Sequence, residues 1–281
     1  MPLLHQPAEL INSLREQNPL VMCIQNYVAM DFSANVLLAA GASPAMVNAV
    51  EEAEGFTKIS SALSINVGTA LTPHWIKAME LAASTAHDCG KPWVLDPVGC
   101  GATAHRNEQC AMLMERRPTV VRGNASEIMA LANACKVEVV GGGSAGGGKG
   151  VDSTAGSEEA LPAGIALAKR FKCVIAISGA VDIITDGSTK VLIRNGQEIL
   201  TKITAAGCSL STLCAAYCAV CNSALDAVTA AFLHFCIASD MTAEMVEVKG
   251  PGTHRVHLID NLYNLSSAAL ADRAKFEVHE L

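Results

Sequence analysis

The 281-residue sequence predicts an α/β fold, a mostly parallel central sheet with helices on both faces. Three observations carry this. Short apolar runs alternate with longer segments of helical spacing along the chain, the order that produces parallel strands joined by crossover helices. Hydrophobic residues make up 51% of the chain but aromatics only 4%, so the core must be built from Ala, Val, Leu and Ile, as in sheets covered on both sides. Polar and small residues collect just after the apolar runs, at the strands' carboxyl ends, where open α/β sheets bind ligands. With no Pro-rich or charged linker, a single domain over 1–281 is expected.

The elements follow in chain order. Residues 7–17 place Leu10, Ile11 and Leu14 at helical spacing, and 20–24 read as a short buried strand. Asn26 to Asp31 follow directly, and 33–40 form a helix pattern stopped by Gly41. The stretch from Gly41 to Met46 gives a turn and a short extended segment, with Met46 serving either packing or ligand contact. A helix is expected over 47–54, a strand over 62–67 and a long helix over 73–89. The next buried strand delivers Asp96 into the Pro97-Val98-Gly99 turn, where a carboxylate suits a magnesium ligand or general base, or simply caps the turn. After a helix over 105–116, the strand 119–121 runs into Arg122-Gly123-Asn124-Ala125-Ser126-Glu127 and a helix over 128–134. One strand-to-helix turn thus carries a cation, an amide and a carboxylate, a compact set for phosphates plus a metal. Asn124 with Glu127 three residues on is also a capping pair, which leaves Arg122 unexplained.

Gly143 to Lys149 fits the spacing of a phosphate-binding loop, but Gly150 stands where the motif needs Ser or Thr and no helix follows, so this is read as a flexible loop. A helix over 158–171 and a buried strand over 173–179 come next, then a hairpin of 181–185 and 190–194. The turn Ile203-Thr204-Ala205-Ala206-Gly207-Cys208 then enters an apolar helix reaching 220. The first N–H groups of a helix have no intrahelical partner and sit at the positive end of its dipole. Small residues at 205–207 would admit a phosphate or oxyanion, with Cys208, Ser209 and Ser211 as polar groups able to face it. A capped core helix is the alternative. Cys214, Cys218 and Cys221 share one helix face and are read as core packing rather than a zinc site. A long helix over 226–246 and a final one over 256–271 complete the chain.

The net charge of -7 argues against nucleic acid or an anionic membrane as partner and favours small molecules. No apolar run reaches the roughly 18 residues of a membrane span, and the first ten residues lack the pattern of a secretion signal, so a cytoplasmic protein is expected. Eleven cysteines, an odd number scattered through apolar segments, read as free thiols. The carboxyl edge collects Asn26, Asp96, Arg122, Glu127, Ser178 and the 204–208 turn, an inventory suited to phosphoryl transfer.

Several motifs, Asn26-Tyr27-Val28, Gly41-Ala42-Ser43-Pro44-Ala45-Met46, Asp96-Pro97-Val98-Gly99, the 122–127 turn, Gly150-Val151-Asp152-Ser153, Gly207-Cys208 and Gly250-Pro251-Gly252-Thr253, together resemble the hydroxyethylthiazole kinase family. These are thiamine-salvage members of the ribokinase-like superfamily, and the similarity runs nearly end to end. The resemblance implies ATP-dependent phosphorylation of the primary hydroxyl of 4-methyl-5-(2-hydroxyethyl)thiazole, with magnesium, in a homotrimer whose sites lie between subunits. By position it implies thiazole contacts at Met46 and Gly207, with Asn26 shaping the pocket. It implies nucleotide contacts at Arg122, Ser178 and Asn124, and contacts with magnesium and phosphate at Asp96 and Glu127. Ala205, Ala206, Gly207 and Cys208 form the implied catalytic turn, and Cys208 stands where most ribokinase-like enzymes place an Asp base. Two features depart from the family: Ala205-Ala206 replace its usual Gly-Thr, and 141–149 read as an insertion or expanded loop. Ala205 is expected to hold a negative φ that misaims a donor, to be strained in the productive conformation, or to sit comfortably at negative φ in a pre-formed site as a tolerated substitution. The alternatives are a pyrimidine or pyridoxal alcohol kinase, or a thiazole- or nucleotide-binding protein with weakened turnover.

Overall fold

The central apolar runs become strands buried on both sides. The computed structural model describes residues 7–69, 71–139 and 156–281, so the glycine-rich 141–150 segment and Gly150-Val151-Asp152-Ser153 lie outside the described residues. β1 (Leu20–Ile24), β2 (Ser43–Met46), β3 (Ala62–Asn66), β4 (Trp93–Asp96), β5 (Val120–Asn124) and β6 (Val174–Ser178) are parallel, in the spatial order β2-β1-β3-β4-β5-β6. The antiparallel strands β7 (Asp182–Thr185), β8 (Thr189–Ile193) and β9 (Phe276–Glu280) extend the sheet beyond β6.

Side-chain alternation divides the core into two layers. Val21, Cys23, Val94, Val120 and Ala176 face α1 (Leu10–Gln17), α2 (Met30–Ala40), α8 (Ala206–Val220), α9 (Ala224–Ala243) and α10 (Pro251–Asn264). Met22, Ile24, Trp93, Leu95, Val121 and Ile175 face the opposite layer, α3 (Val50–Ile59), α4 (Pro73–Asp88), α5 (Ala104–Met114), α6 (Ala125–Ala134) and α7 (Ser157–Phe171). α9 is long and apolar enough to cross a membrane, but 83% of its apolar window is buried inside the protein, as a core helix requires. All eleven cysteines are free thiols, and only Cys89 is exposed.

Three expectations are corrected. The 47–54 helix is α3, displaced to Val50–Ile59, because the Val47 N–H instead bonds the Cys23 carbonyl and prolongs the β1–β2 pairing. The 256–271 helix is two: α10 begins at Pro251, and the chain breaks at Leu265 before α11 (Ser267–Arg273), whose start is capped by the Ser266 hydroxyl accepting from the Ala269 N–H. A 3-10 turn over Glu198–Lys202 and the terminal strand β9 were not anticipated.

Candidate active site

The carboxyl ends of neighbouring strands bring Asn26, Asn66, Asp96, Arg122 and Ser178 to one edge, and the start of α8 crosses above them. Asp96 ends β4 and is wholly buried. Its Oδ2 accepts from Asn66 Nδ2 (2.9 Å) and Ser211 Oγ (2.8 Å), while Oδ1 has no partner. Burial pushes this carboxyl up to about 7; the Arg122 charge pulls the other way and the Glu127 charge adds to the rise. Asn66 ends β3 in register with Asp96, and its Oδ1 accepts from Asn26 Nδ2 (2.8 Å) and the Gly68 N–H (2.9 Å). Asn26 Oδ1 accepts from the N–H groups of Val28 (3.0 Å) and Ala29 (3.2 Å), which fixes the entry to α2.

Arg122 projects from β5, and its Nη2 donates to Ser178 Oγ on β6 (2.6 Å). Its guanidinium lies so close to the start of α8 that a Cβ at Gly207 would fall 2.5 Å from Nη1. Glu127 closes a capping box: its Oε2 accepts from the Asn124 N–H (2.8 Å), and Asn124 Oδ1 accepts from the Glu127 N–H (2.9 Å). Glu127 Oε1 accepts from the Gly99 N–H (2.9 Å), so one carboxylate ties the β4 turn to the start of α6. Burial raises its pKa, opposed by these two backbone donors and by the charges of Arg122 and Arg106. Met46 ends the edge strand β2, half-buried and paired with Cys23.

The first turn of α8 leaves backbone donors unpaired. Among the described residues no acceptor takes the Gly207 or Cys208 N–H, whereas the Ala206 N–H bonds the Ile203 carbonyl (3.3 Å). Ala205 holds φ 66°, ψ 4°, the left-handed conformation, so both negative-φ expectations are corrected and the strained one is realised. Cys208 Sγ accepts a long bond from Asn26 Nδ2 (3.7 Å). Burial, with the Asp96 charge adding, pushes its thiol up to about 12, the reverse of what a helix start alone would do. Ser209 and Ser211 do not face a ligand as expected: both are buried, Ser209 on Ser33 (3.3 Å between hydroxyls) and Ser211 on Asp96.

Asn66 escaped the sequence reading. It is one polar residue at the end of an apolar run, and only the pairing of β3 with β4 sets it beside Asp96. Two clefts, of about 420 and 340 Å³, open instead around Thr119 at the strands' amino ends and contain none of these residues.

A sequence model of the hydroxyethylthiazole kinase family matches residues 11–268. The chain belongs to that family. A hydroxyethylthiazole kinase of Roseobacter denitrificans is 45% identical over 265 residues, covering 94% of this chain and 98% of the relative. One from Arabidopsis thaliana is 44% identical, over 94% of this chain and 91% of the relative. The solved structure of a hydroxyethylthiazole kinase protein from Pyrococcus horikoshii OT3 superposes with a TM-score of 0.87 at 35% identity, covering 98% of this chain and 99% of that one. The pyridoxal kinase of Staphylococcus aureus, at 16% identity and TM-score 0.60 over 94% and 99% of the two chains, shares the fold alone. The architecture is therefore the ribokinase-like fold that the motifs of this hydroxyethylthiazole kinase family member implied.

Proposed function

We propose that this protein transfers the γ-phosphoryl group of ATP to the primary hydroxyl of 4-methyl-5-(2-hydroxyethyl)thiazole, as a single-domain cytoplasmic enzyme using magnesium. The observation that carries the reading is the meeting of three features: the free N–H groups of Gly207 and Cys208, the Arg122 guanidinium beside them, and the unpartnered Oδ1 of Asp96. Positioning and charge neutralisation dominate phosphoryl transfer. In this reading the α8 N–H groups and Arg122 face the transferring phosphoryl, with Ser178 holding Arg122 and Asn124 shaping the nucleotide side. Ala205 and Ala206 form the turn that aims those donors. Asn26, Met46 and Gly207 receive the thiazole.

The residues fit a magnesium ion. Magnesium is commonly held by one or two carboxylates plus substrate phosphates and water, which suits a buried carboxylate with one oxygen free. Asp96 Oδ1 would contact the ion, and Glu127, both of whose oxygens already accept backbone bonds, would act on the phosphate region through its charge. Bound there, magnesium would neutralise charge on the phosphate oxygens. Cys208 stays protonated near neutral pH and lines the alcohol side as a neutral thiol; a loose transition state needs little help from a base.

A homotrimer with sites between subunits suits the edge. Tyr27 (63% exposed) and Val28 (57% exposed) stand beside Asn26, and Met46 lies on the sheet's outermost parallel strand, so a second copy would close the pocket. An ADP-release assay across thiazole, pyrimidine and pyridoxal alcohols tests the reading. The thiazole alcohol should give the highest kcat/KM, and equal or better turnover of another alcohol would overturn the assignment.

A further inference from the structure

Asn66 bonds to both halves of this site. Its amide is oriented by its surroundings: Oδ1 accepts from Asn26 Nδ2 and the Gly68 N–H, so Nδ2 is left to donate to the Asp96 carboxylate. Reversing the amide would set a carbonyl against a carboxylate and an N–H₂ against two donors. Gly68 makes the arrangement possible, since a Cβ there would lie 2.7 Å from Asn26 Nδ2 and 2.9 Å from Asn26 Cβ. On the other side, Asn66 and Ser211 both donate to Asp96 Oδ2 and none to Oδ1, which decides the oxygen left free.

We propose that Asn66 is a positioning residue that sets the alcohol side and the cation side together, through Asn26 in one direction and Asp96 in the other. This rests on the phosphotransfer reading above. A buried amide satisfied on both its oxygen and its nitrogen cannot turn to follow one neighbour without releasing the other. Loss or displacement of Asn66 would therefore be felt at both Asn26 and Asp96. Ser211 differs, because it supports Asp96 and makes no bond to Asn26.

The test compares the full-length parent with Asn66→Leu, Asn66→Asp and Ser211→Ala. Binding of the thiazole alcohol is measured by calorimetry without magnesium or ATP, the magnesium requirement by titrating turnover, and stability by thermal melting. Asn66→Leu should weaken alcohol binding and raise the half-saturating magnesium concentration, each by about tenfold, the scale of one lost hydrogen bond to a charged or buried group. Ser211→Ala should raise the magnesium requirement while leaving alcohol binding within about twofold. Asn66→Asp keeps the oxygen that holds Asn26 but loses the donor to Asp96, so it should bind the alcohol within about twofold of the parent while raising the magnesium requirement by about tenfold. Should Asn66→Leu fail to fold, the last two variants decide the question. A lowered melting temperature with alcohol binding and magnesium titration unmoved, or alcohol binding lost equally in Ser211→Ala, would overturn the proposal alone. A parent that neither binds nor phosphorylates the thiazole alcohol would overturn it together with the reading beneath it.

Discussion

Gly207→Ala would test whether Arg122 acts where the start of α8 meets the sheet. A Cβ at 207 would stand 2.5 Å from Arg122 Nη1, 2.9 Å from Nη2 and 3.1 Å from Cζ, so the guanidinium has to move. It is the far end of a flexible side chain, and Ala is preferred to Gly in a helix by about 1 kcal/mol, so the fold should tolerate the change with Tm within about 4 °C of the parent. The displaced guanidinium leaves its 2.6 Å bond to Ser178 and carries its charge away from the Gly207 and Cys208 N–H groups. Loss of a charge-assisted hydrogen bond costs about 1.5–3 kcal/mol, which at about 1.4 kcal/mol per decade is roughly a 10- to 150-fold fall in kcat/KM for ATP. The assay varies ATP at saturating alcohol in four proteins: parent, Gly207→Ala, Arg122→Ala and the double variant. Arg122→Ala removes the group that the new methyl would strike, so Gly207→Ala should cost little more in that background. An unchanged kcat/KM in the single variant, or the same loss in both backgrounds, would refute the steric route through Arg122.

Three further outcomes are expected. Ala205→Gly removes left-handed strain of about 1–2 kcal/mol against about 0.4–1 kcal/mol of added unfolded-chain entropy, so Tm should rise by about 1–3 °C; a melting temperature that falls would show that Ala205 is unstrained. Cys208→Ser should keep kcat within about tenfold of the parent, and the parent should show no thiolate limb between about pH 7 and 9, since a thiol raised to about 12 remains protonated there. A thousandfold loss, or a limb abolished by the substitution, would make the thiol a base. Burial raises Asp182 from 3.8 to about 6, opposed by the Gly179 N–H, the Arg122 charge and the Cys236 thiol. The folded protein thus keeps this proton where the unfolded chain has lost it, so the contribution is complete below about pH 4 and lost as pH rises through about 6. Asp182→Asn should flatten that part of the Tm–pH curve, and superimposable curves would dismiss the group.

The central parallel strands were legible because β1, β3 and β4 are apolar runs buried on both faces that end at polar residues. β9 was not, because Phe276 and Val278 alternate over only five residues and gain meaning from β8, more than eighty positions earlier in the chain. The missed break at Leu265 has a similar cause: 256–271 keeps helical spacing throughout, and only the Ser266 cap marks the restart. Within the site, the charged members Asp96, Arg122 and Glu127 could be located by their place after strands. The directions of Ser209 and Ser211 could not, since a hydroxyl in the first turns of a helix serves a ligand or the core equally well by spacing alone. Ala205 was recognised as anomalous from its type, but the sign of its φ belongs to the folded turn.

The two rims of the sheet are unlike, and this bears on how copies of the chain can meet. At one rim β9 is nearly all exposed and carries Glu277, His279 and Glu280, with Glu277 engaged by Arg194 (3.2 Å). A strand approaching that rim from a second molecule would have to bring backbone amides past ionic side chains, a standard obstacle to runaway strand addition. At the other rim β2 is four residues long and includes Pro44, which has no N–H to offer a newcomer. Endless stacking of sheets is thus opposed at both ends. In the trimer proposed above, contact at the β2 side would rest mainly on side chains, a mode that can close into a ring and stop.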